Sequence, residues 1–133
     1  MMQLPARSKA PRLLVVEDEP TVQKALAKYF AKVGYDVRCA RELEEAEALL
    51  IVDDFDIVIC DLRLSWSYAA EGLEILRFVK RYSRRTRVVI LSAYGSSELQ
   101  HSARELGAEA FFQKPTALPD IAATVTRLVE VRP

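Results

Sequence analysis

The sequence predicts a doubly wound α/β domain: one parallel sheet of five strands, with five helices covering its two faces. Three observations lead there. Short apolar runs recur along the chain and alternate with segments of helical periodicity. The runs are continuously apolar, the mark of strands buried on both faces. The 133 residues are half hydrophobic, with only four glycines. That is enough for one core and argues against a low-complexity chain.

The elements follow in order. Leu13 to Val16 is the first strand, cut off at Glu17-Asp18-Glu19. Pro20 suits the first turn of a helix whose apolar stripe runs through Val22, Ala25, Leu26, Tyr29, Phe30 and Val33 until Gly34 ends it. Tyr35 to Ala40 reads as the second strand, and Arg41 to Leu50 as a helix with Leu43, Ala46, Leu49 and Leu50 on one side. Phe55 to Cys60 is the third strand, and Glu71 to Tyr82 a helix carrying Leu73, Leu76, Phe78 and Val79. Arg87 to Leu91, rich in β-branched residues, is the fourth strand. Ser96 to Leu106 is a helix that Gly107 terminates, Ala110 to Phe112 a short fifth strand, and Leu118 to Val131 a last helix. Residues 1–11, polar and broken by Pro5 and Pro11, are expected to form a flexible leader, and residues 12–131 the folded domain.

Composition excludes several classes. Nineteen basic and nineteen acidic residues cancel, so no general positive field attracts nucleic acid or a membrane surface. No apolar run approaches the ~20 residues a bilayer span needs. Cys39 and Cys60 sit in separate apolar runs, as expected of buried free thiols rather than a disulfide scaffold.

In an open parallel sheet, ligands bind beyond the carboxyl ends of the strands. Glu17 and Asp18 follow the first strand, Asp61 the third, Ser92 the fourth and Lys114 the fifth. Three carboxylates gathered within a few ångströms repel one another unless a cation joins them. Hard oxygen ligands suit Mg²⁺ or Mn²⁺. One carboxylate would remain free as a nucleophile, with Lys114 and Ser92 able to bind phosphoryl oxygens. This edge is suited to holding a phosphoryl group on a carboxylate.

Four segments, Val15-Val16-Glu17-Asp18-Glu19, Cys60-Asp61-Leu62-Arg63-Leu64, Ile90-Leu91-Ser92-Ala93 and Phe111-Phe112-Gln113-Lys114-Pro115, together resemble the receiver domain of two-component response regulators. The resemblance covers residues 12 to 131. It implies a flavodoxin-like strand order, 2-1-3-4-5, and phosphorylation of Asp61 by a histidine kinase or histidine phosphotransfer protein. It further implies Mg²⁺ (or Mn²⁺) bound by Asp18 directly, by Glu17 mainly through water, by Asp61, and by the backbone carbonyl of Arg63. Lys114 would pair with the aspartyl phosphate and precede a cis peptide to Pro115. Ser92 would swing toward the phosphate and Phe111 would turn inward, remodelling the face made by the fourth helix, fifth strand and fifth helix. Such a domain is a cytoplasmic phosphoacceptor switch, catalysing only its own phosphorylation and dephosphorylation. It acts through a downstream target protein, as a monomer or a phosphorylation-dependent dimer, without direct contact to nucleic acid or membrane. No output domain is expected in the sequence, whether the domain works alone or was cut from a longer regulator.

Two departures from the family pattern stand out. The segment after Asp61 has Ser65 where proline is usual and reaches Gly72 about three residues late, so Ser65 to Ala70 is expected as an extended loop. Arg63 and Tyr94 occupy positions beside the phosphoryl group where hydrolysis is tuned; two bulky side chains there predict a slowly hydrolysing acyl phosphate. Trp66 and Tyr68 either pack over the sheet edge or contact a partner, and Phe111 is either core or switch. A basic run, Lys80, Arg81, Arg84, Arg85 and Arg87, reads as a solvated helix end. Asp53, Asp54 and Asp56 read as a solvated turn, and His101 as an exposed helix residue.

Competing readings fare worse on the residues. A Mg²⁺-dependent aspartyl-phosphate hydrolase would want a second acid two positions after Asp61, where Arg63 stands. A nucleotide or flavin module would want clustered glycines, and Gly34, Gly72, Gly95 and Gly107 are scattered. A degenerate, phosphate-independent receiver would lack part of the acidic site, which is complete here.

Overall fold

The computed structural model describes residues 10–62, 66–83, 85–93 and 97–130. Strands and helices alternate: β1 Arg12–Val16, α1 Pro20–Lys32, β2 Asp36–Ala40, α2 Leu43–Val52, β3 Ile57–Leu62, α3 Trp66–Tyr82, β4 Arg87–Ser92, α4 Ser97–Glu105, β5 Ala110–Gln113 and α5 Leu118–Glu130. The five strands form one parallel sheet in the order β2-β1-β3-β4-β5. Fold class, strand count and strand order are those the sequence and its resemblance predict.

Strand alternation divides the core in two. Leu13, Val15, Ile57, Ile59, Val89 and Leu91 face α1 and α5, where Leu26, Phe30, Ile121 and Val125 meet them. Leu14, Val16, Val58, Cys60, Val88 and Ile90 face the other way, onto Ala46, Ile75, Leu76, Val79 and Ala103. Each fully buried aliphatic side chain contributes ~1.5–3 kcal/mol, and the central strands β1, β3 and β4 have them on both faces.

Local signals set most boundaries. Glu19 caps α1, its carboxylate accepting from the Val22 N–H at 3.0 Å. Gly34, at φ 109°, turns the chain out of α1 in a conformation that L side chains rarely adopt. Val33, read from periodicity as part of the buried stripe, is the C-cap residue and is 49% exposed. Tyr35 precedes β2; its ring is buried edge-on against Phe30, and its hydroxyl meets Thr126 Oγ1 at 3.0 Å.

Four sequence expectations need correction. The helix α3 begins at Trp66, five residues before Glu71, so Trp66 to Ala70 are helix rather than loop; Ser65 lies outside the described residues. The stretch Trp66 to Glu71 contains neither Gly nor Pro, and Gly72 costs about 1 kcal/mol within a helix without ending it. The Asp53 and Asp56 turn is not merely solvated. Asp56 accepts the Arg12 N–H at 2.8 Å, and Asp53 pairs with the Arg12 guanidinium at 3.2 Å. Lys80 is likewise a clasp: its Nζ donates to the Thr86 carbonyl at 3.0 Å and pairs with Glu109 at 2.8 Å. Both cysteines are free, but Cys39, on edge strand β2, is only half-buried. His101 is exposed and meets Glu105 at 3.5 Å. Among the described residues no helix is long and apolar enough to cross a membrane.

Candidate functional site

Parallel connectivity brings the carboxyl ends of all the strands, and the amino ends of the following helices, to one edge. The positive helix ends favour negative charge there. β1 delivers Glu17 one residue past Val16, which pairs with Cys60, so Glu17 comes level with Asp61. Ser92 stands opposite Leu62, one residue beyond Asp61, and Gln113 pairs with Ser92 just before Lys114.

The site closes around Asp61, whose side chain is only 1% exposed. Lys114 Nζ forms an ion pair with Asp61 Oδ2 at 2.5 Å. Glu17, also buried, faces Asp61 closely enough to share a hydrogen bond with it. With both carboxyls ionised, neither Asp61 oxygen has a hydrogen-bond donor of sound geometry. A proton on Glu17 supplies one. Burial first, then the hydrogen bond and charge of Asp61, push the Glu17 carboxyl from its ordinary 4.5 up to about 8; the Glu19 N–H and Lys114 oppose this only in part. The neighbouring Cys60 thiol is pushed up to about 12, by burial and then by the charges of Asp61 and Glu17. It is therefore protonated and inert as a nucleophile at neutral pH.

The acidic turn is held by its own backbone. Glu17 donates its N–H to the Ala40 carbonyl at 2.9 Å, and its Oε2 accepts from the Glu19 N–H at 2.8 Å. The run Glu17-Asp18-Glu19 thus divides its labour: Glu19 is the helix cap, Glu17 belongs to the site, and Asp18 is half-buried between them. Ser92 is fully buried, and its carbonyl accepts the Lys114 N–H at 2.7 Å, tying the end of β4 to the Lys114 turn. The Lys114–Pro115 peptide is cis. Phe111, opposite Ile90, is half-buried against the core on the α4 side.

The structure therefore brings together Glu17, Asp61 and Lys114, with Ser92 at the same edge and Asp18 next in the chain. Arg63 and Tyr94 lie outside the described residues. Among the described residues no three Asp, Glu, His or Cys side chains are gathered as a metal-ligand set. Two enclosed carboxylates, those of Glu17 and Asp61, are nonetheless a hard-oxygen pair, which suits Mg²⁺ or Mn²⁺.

Two features escaped sequence reasoning. One is Gln23, whose side chain reaches the Glu17 carbonyl at 2.9 Å; a single polar residue on a helix gives no periodic signal. The other is a mostly apolar cleft of about 610 Å³ beside Asp61, lined by Val22, Ala25 and Leu26 of α1 and by Lys114, Pro115 and Ile121. It exists only once α1 and α5 are packed side by side.

Comparison with known proteins agrees with this geometry. The family model for the response regulator receiver domain matches residues 13–126. The response regulator protein PilR of Pseudomonas aeruginosa is 32% identical over 126 residues, 92% of this chain but 27% of its own length. The chain spans about a quarter of that relative, and likewise of the regulatory protein AtoC of Escherichia coli. The non-phosphorylated HemR receiver domain of Leptospira biflexa superimposes with a TM-score of 0.82 at 28% identity, covering 92% of this chain and 98% of that one. TrrA of Thermotoga maritima, solved in complex with Mg²⁺-BeF, superimposes at 0.74 with 26% identity over 89% of this chain and 98% of that one.

Proposed function

The chain belongs to the family of response regulator receiver domains, the phosphoacceptors of two-component phosphorelay signalling, and from that premise we propose that Asp61 is its phosphorylation site. The observation that carries this is the Asp61 carboxylate itself: enclosed at the end of β3, paired with Lys114 and facing the Glu17 carboxyl.

In the proposed step an Asp61 oxygen attacks the phosphorus of a phosphohistidine on a histidine kinase or phosphotransfer protein. The O–P bond forms as the N–P bond breaks, and the imidazole leaves with the electron pair. Hydrolysis reverses the gain: water attacks phosphorus, the O–P bond breaks, and Asp61 returns as a carboxylate with inorganic phosphate released. Lys114, already at Asp61, pairs with a phosphoryl oxygen as charge builds there. Ser92 donates a hydrogen bond to another, and Phe111 follows it inward, altering the α4–β5–α5 face for a downstream protein. The cleft between α1 and the Lys114 turn gives the donor histidine its approach.

Glu17, Asp18 and Asp61 would hold Mg²⁺ or Mn²⁺ with the Arg63 carbonyl, and the ion would neutralise charge on the phosphoryl oxygens. The buried Glu17–Asp61 pair supports this, since a cation can replace the proton that Glu17 otherwise retains. The hard-oxygen donors and TrrA's complex with Mg²⁺-BeF point the same way. A switch acting through protein partners, without direct nucleic-acid contact, fits the balanced charge of this chain.

Incubation with a small acyl-phosphate donor and Mg²⁺, followed by intact-mass measurement, tests the reading. One phosphoryl adduct is expected, not formed when Mg²⁺ is chelated beforehand and absent in Asp61→Asn. An adduct that persists in Asp61→Asn, or none on the wild type, refutes it.

A further inference from the structure

We infer that Gln23 is a positioning residue for the acidic site: its amide fixes the Glu17 backbone against the end of β2 and so presets the turn carrying Glu17 and Asp18. The inference rests on the receiver reading and adds a residue outside the family motifs quoted above.

Gln23 lies one turn into α1 and is half-buried. Its Nε2 donates to the Glu17 carbonyl at 2.9 Å and reaches the Ala40 carbonyl at 3.4 Å. Both partners are acceptors, so the chemistry requires the amide nitrogen, not the oxygen, to face them. The helix ladder begins later, at the Glu19 carbonyl, which accepts the Gln23 N–H at 2.9 Å. The Glu17 carbonyl therefore sits outside the ladder, and this side chain supplies its hydrogen bond. With the Glu17 N–H already on Ala40 and the Glu17 carboxylate on the Glu19 N–H, the donor amide locks the remaining side of the residue. The result is one rigid knot joining β1, β2 and α1, from which Glu17 faces Asp61.

Residues that orient metal ligands from behind are worth about 10- to 100-fold in affinity when removed. A neutral donor does this without adding charge to a site whose charge balance matters. Charge and position then make opposite predictions. A glutamate at 23 would tighten cation binding by simple attraction, yet its oxygens would face two carbonyl oxygens and release the knot. A lysine would weaken binding by repulsion, yet it restores a donor.

The test is calorimetric titration of Mg²⁺ into the metal-free full chain: wild type, Gln23→Met, Gln23→Glu and Gln23→Lys, each checked for folding by thermal denaturation. Gln23→Met should weaken Mg²⁺ about tenfold, Gln23→Glu at least as much, and Gln23→Lys should recover to within about threefold of wild type. Phosphoryl incorporation by Gln23→Met should fall at limiting Mg²⁺ and return to the wild-type rate at saturation. Wild-type affinity in Gln23→Met, or tighter binding in Gln23→Glu, overturns the inference while leaving the receiver reading intact. If Gln23→Met does not fold, the order of Glu and Lys decides. A wild type that binds no Mg²⁺ and takes no phosphoryl group overturns the receiver reading itself.

Discussion

The most direct consequence of the buried acid pair concerns Glu17 and pH. The Glu17 carboxyl titrates at about 8 in the folded, metal-free chain, against an ordinary 4.5 in the unfolded one. Between those values the folded state binds a proton that the unfolded state has lost. Stability therefore falls as pH rises through this window; the contribution is fully present below 4.5 and lost by the time pH passes about 8. At about 1.4 kcal/mol per pH unit, with the folded carboxyl partly ionised at the upper end, the loss between pH 6 and pH 8.5 is on the order of 2–3 kcal/mol. Glu17→Gln removes the titration while keeping size and a hydrogen bond to Asp61. Urea denaturation at pH 6, 7, 8 and 8.5, in chelator, should show a falling midpoint for wild type and a nearly level one for Glu17→Gln. Both proteins carry the same two thiols, so their ionisation cancels in the comparison. Parallel slopes would refute the account, because they would mean that Glu17 ionises alike in the folded and unfolded chains. With saturating Mg²⁺ the wild-type trend should reverse, since the cation competes with the proton and binds more tightly at higher pH.

Two further predictions concern other parts of the molecule. Lys80→Met leaves the Glu109 carboxylate, which also accepts the Val88 N–H at 2.7 Å, without its cation; a loss of about 1–3 kcal/mol in urea denaturation is expected, and a change under about 0.5 kcal/mol would show the clasp to be incidental. The acyl phosphate should hydrolyse slowly and faster in Arg63→Asn plus Tyr94→Glu, followed by loss of labelled phosphoryl group; a wild-type lifetime of seconds, with no acceleration in the double variant, would refute shielding by those side chains.

What the sequence made legible follows from which forces are local. β-Branched runs such as Arg87 to Leu91 and stripes such as Ile121, Val125 and Leu128 report burial directly, so the order of elements could be read without the structure. Asp61 and Glu17 were legible because each directly follows a buried run, and Lys114 because it follows the last strand; parallel topology carries all such positions to one edge. The start of α3 was not legible, since nothing between Trp66 and Gly72 forces either loop or helix. Nor was the pairing of Arg12 with Asp36 and Asp53, which lie 24 and 41 residues away. The protonation of Glu17 was beyond reach as well: three acidic residues in a row look solvated until burial is known.

The two poles of the sheet differ in a way that supports the proposal for the acidic edge. At the amino pole, Arg12 is answered by Asp36 at 3.4 Å and Asp53 at 3.2 Å, while Asp56 takes its backbone N–H at 2.8 Å. That pole draws its ion pairs from within the chain, although the buried Arg12 Nε has no hydrogen bond of sound geometry. At the carboxyl pole, Lys114 pairs with the enclosed Asp61 and opposes the charge of Glu17 only in part, and a retained proton makes up the difference. A fold selected for stability alone would gain by replacing one of these acids with an apolar residue, since burying an imperfectly paired carboxylate costs several kcal/mol. Keeping both acids places incompletely satisfied charge where the strands end. A cation or a phosphoryl group arriving there changes the charge state of the whole edge, and a proton on Glu17 holds that edge ready until one does.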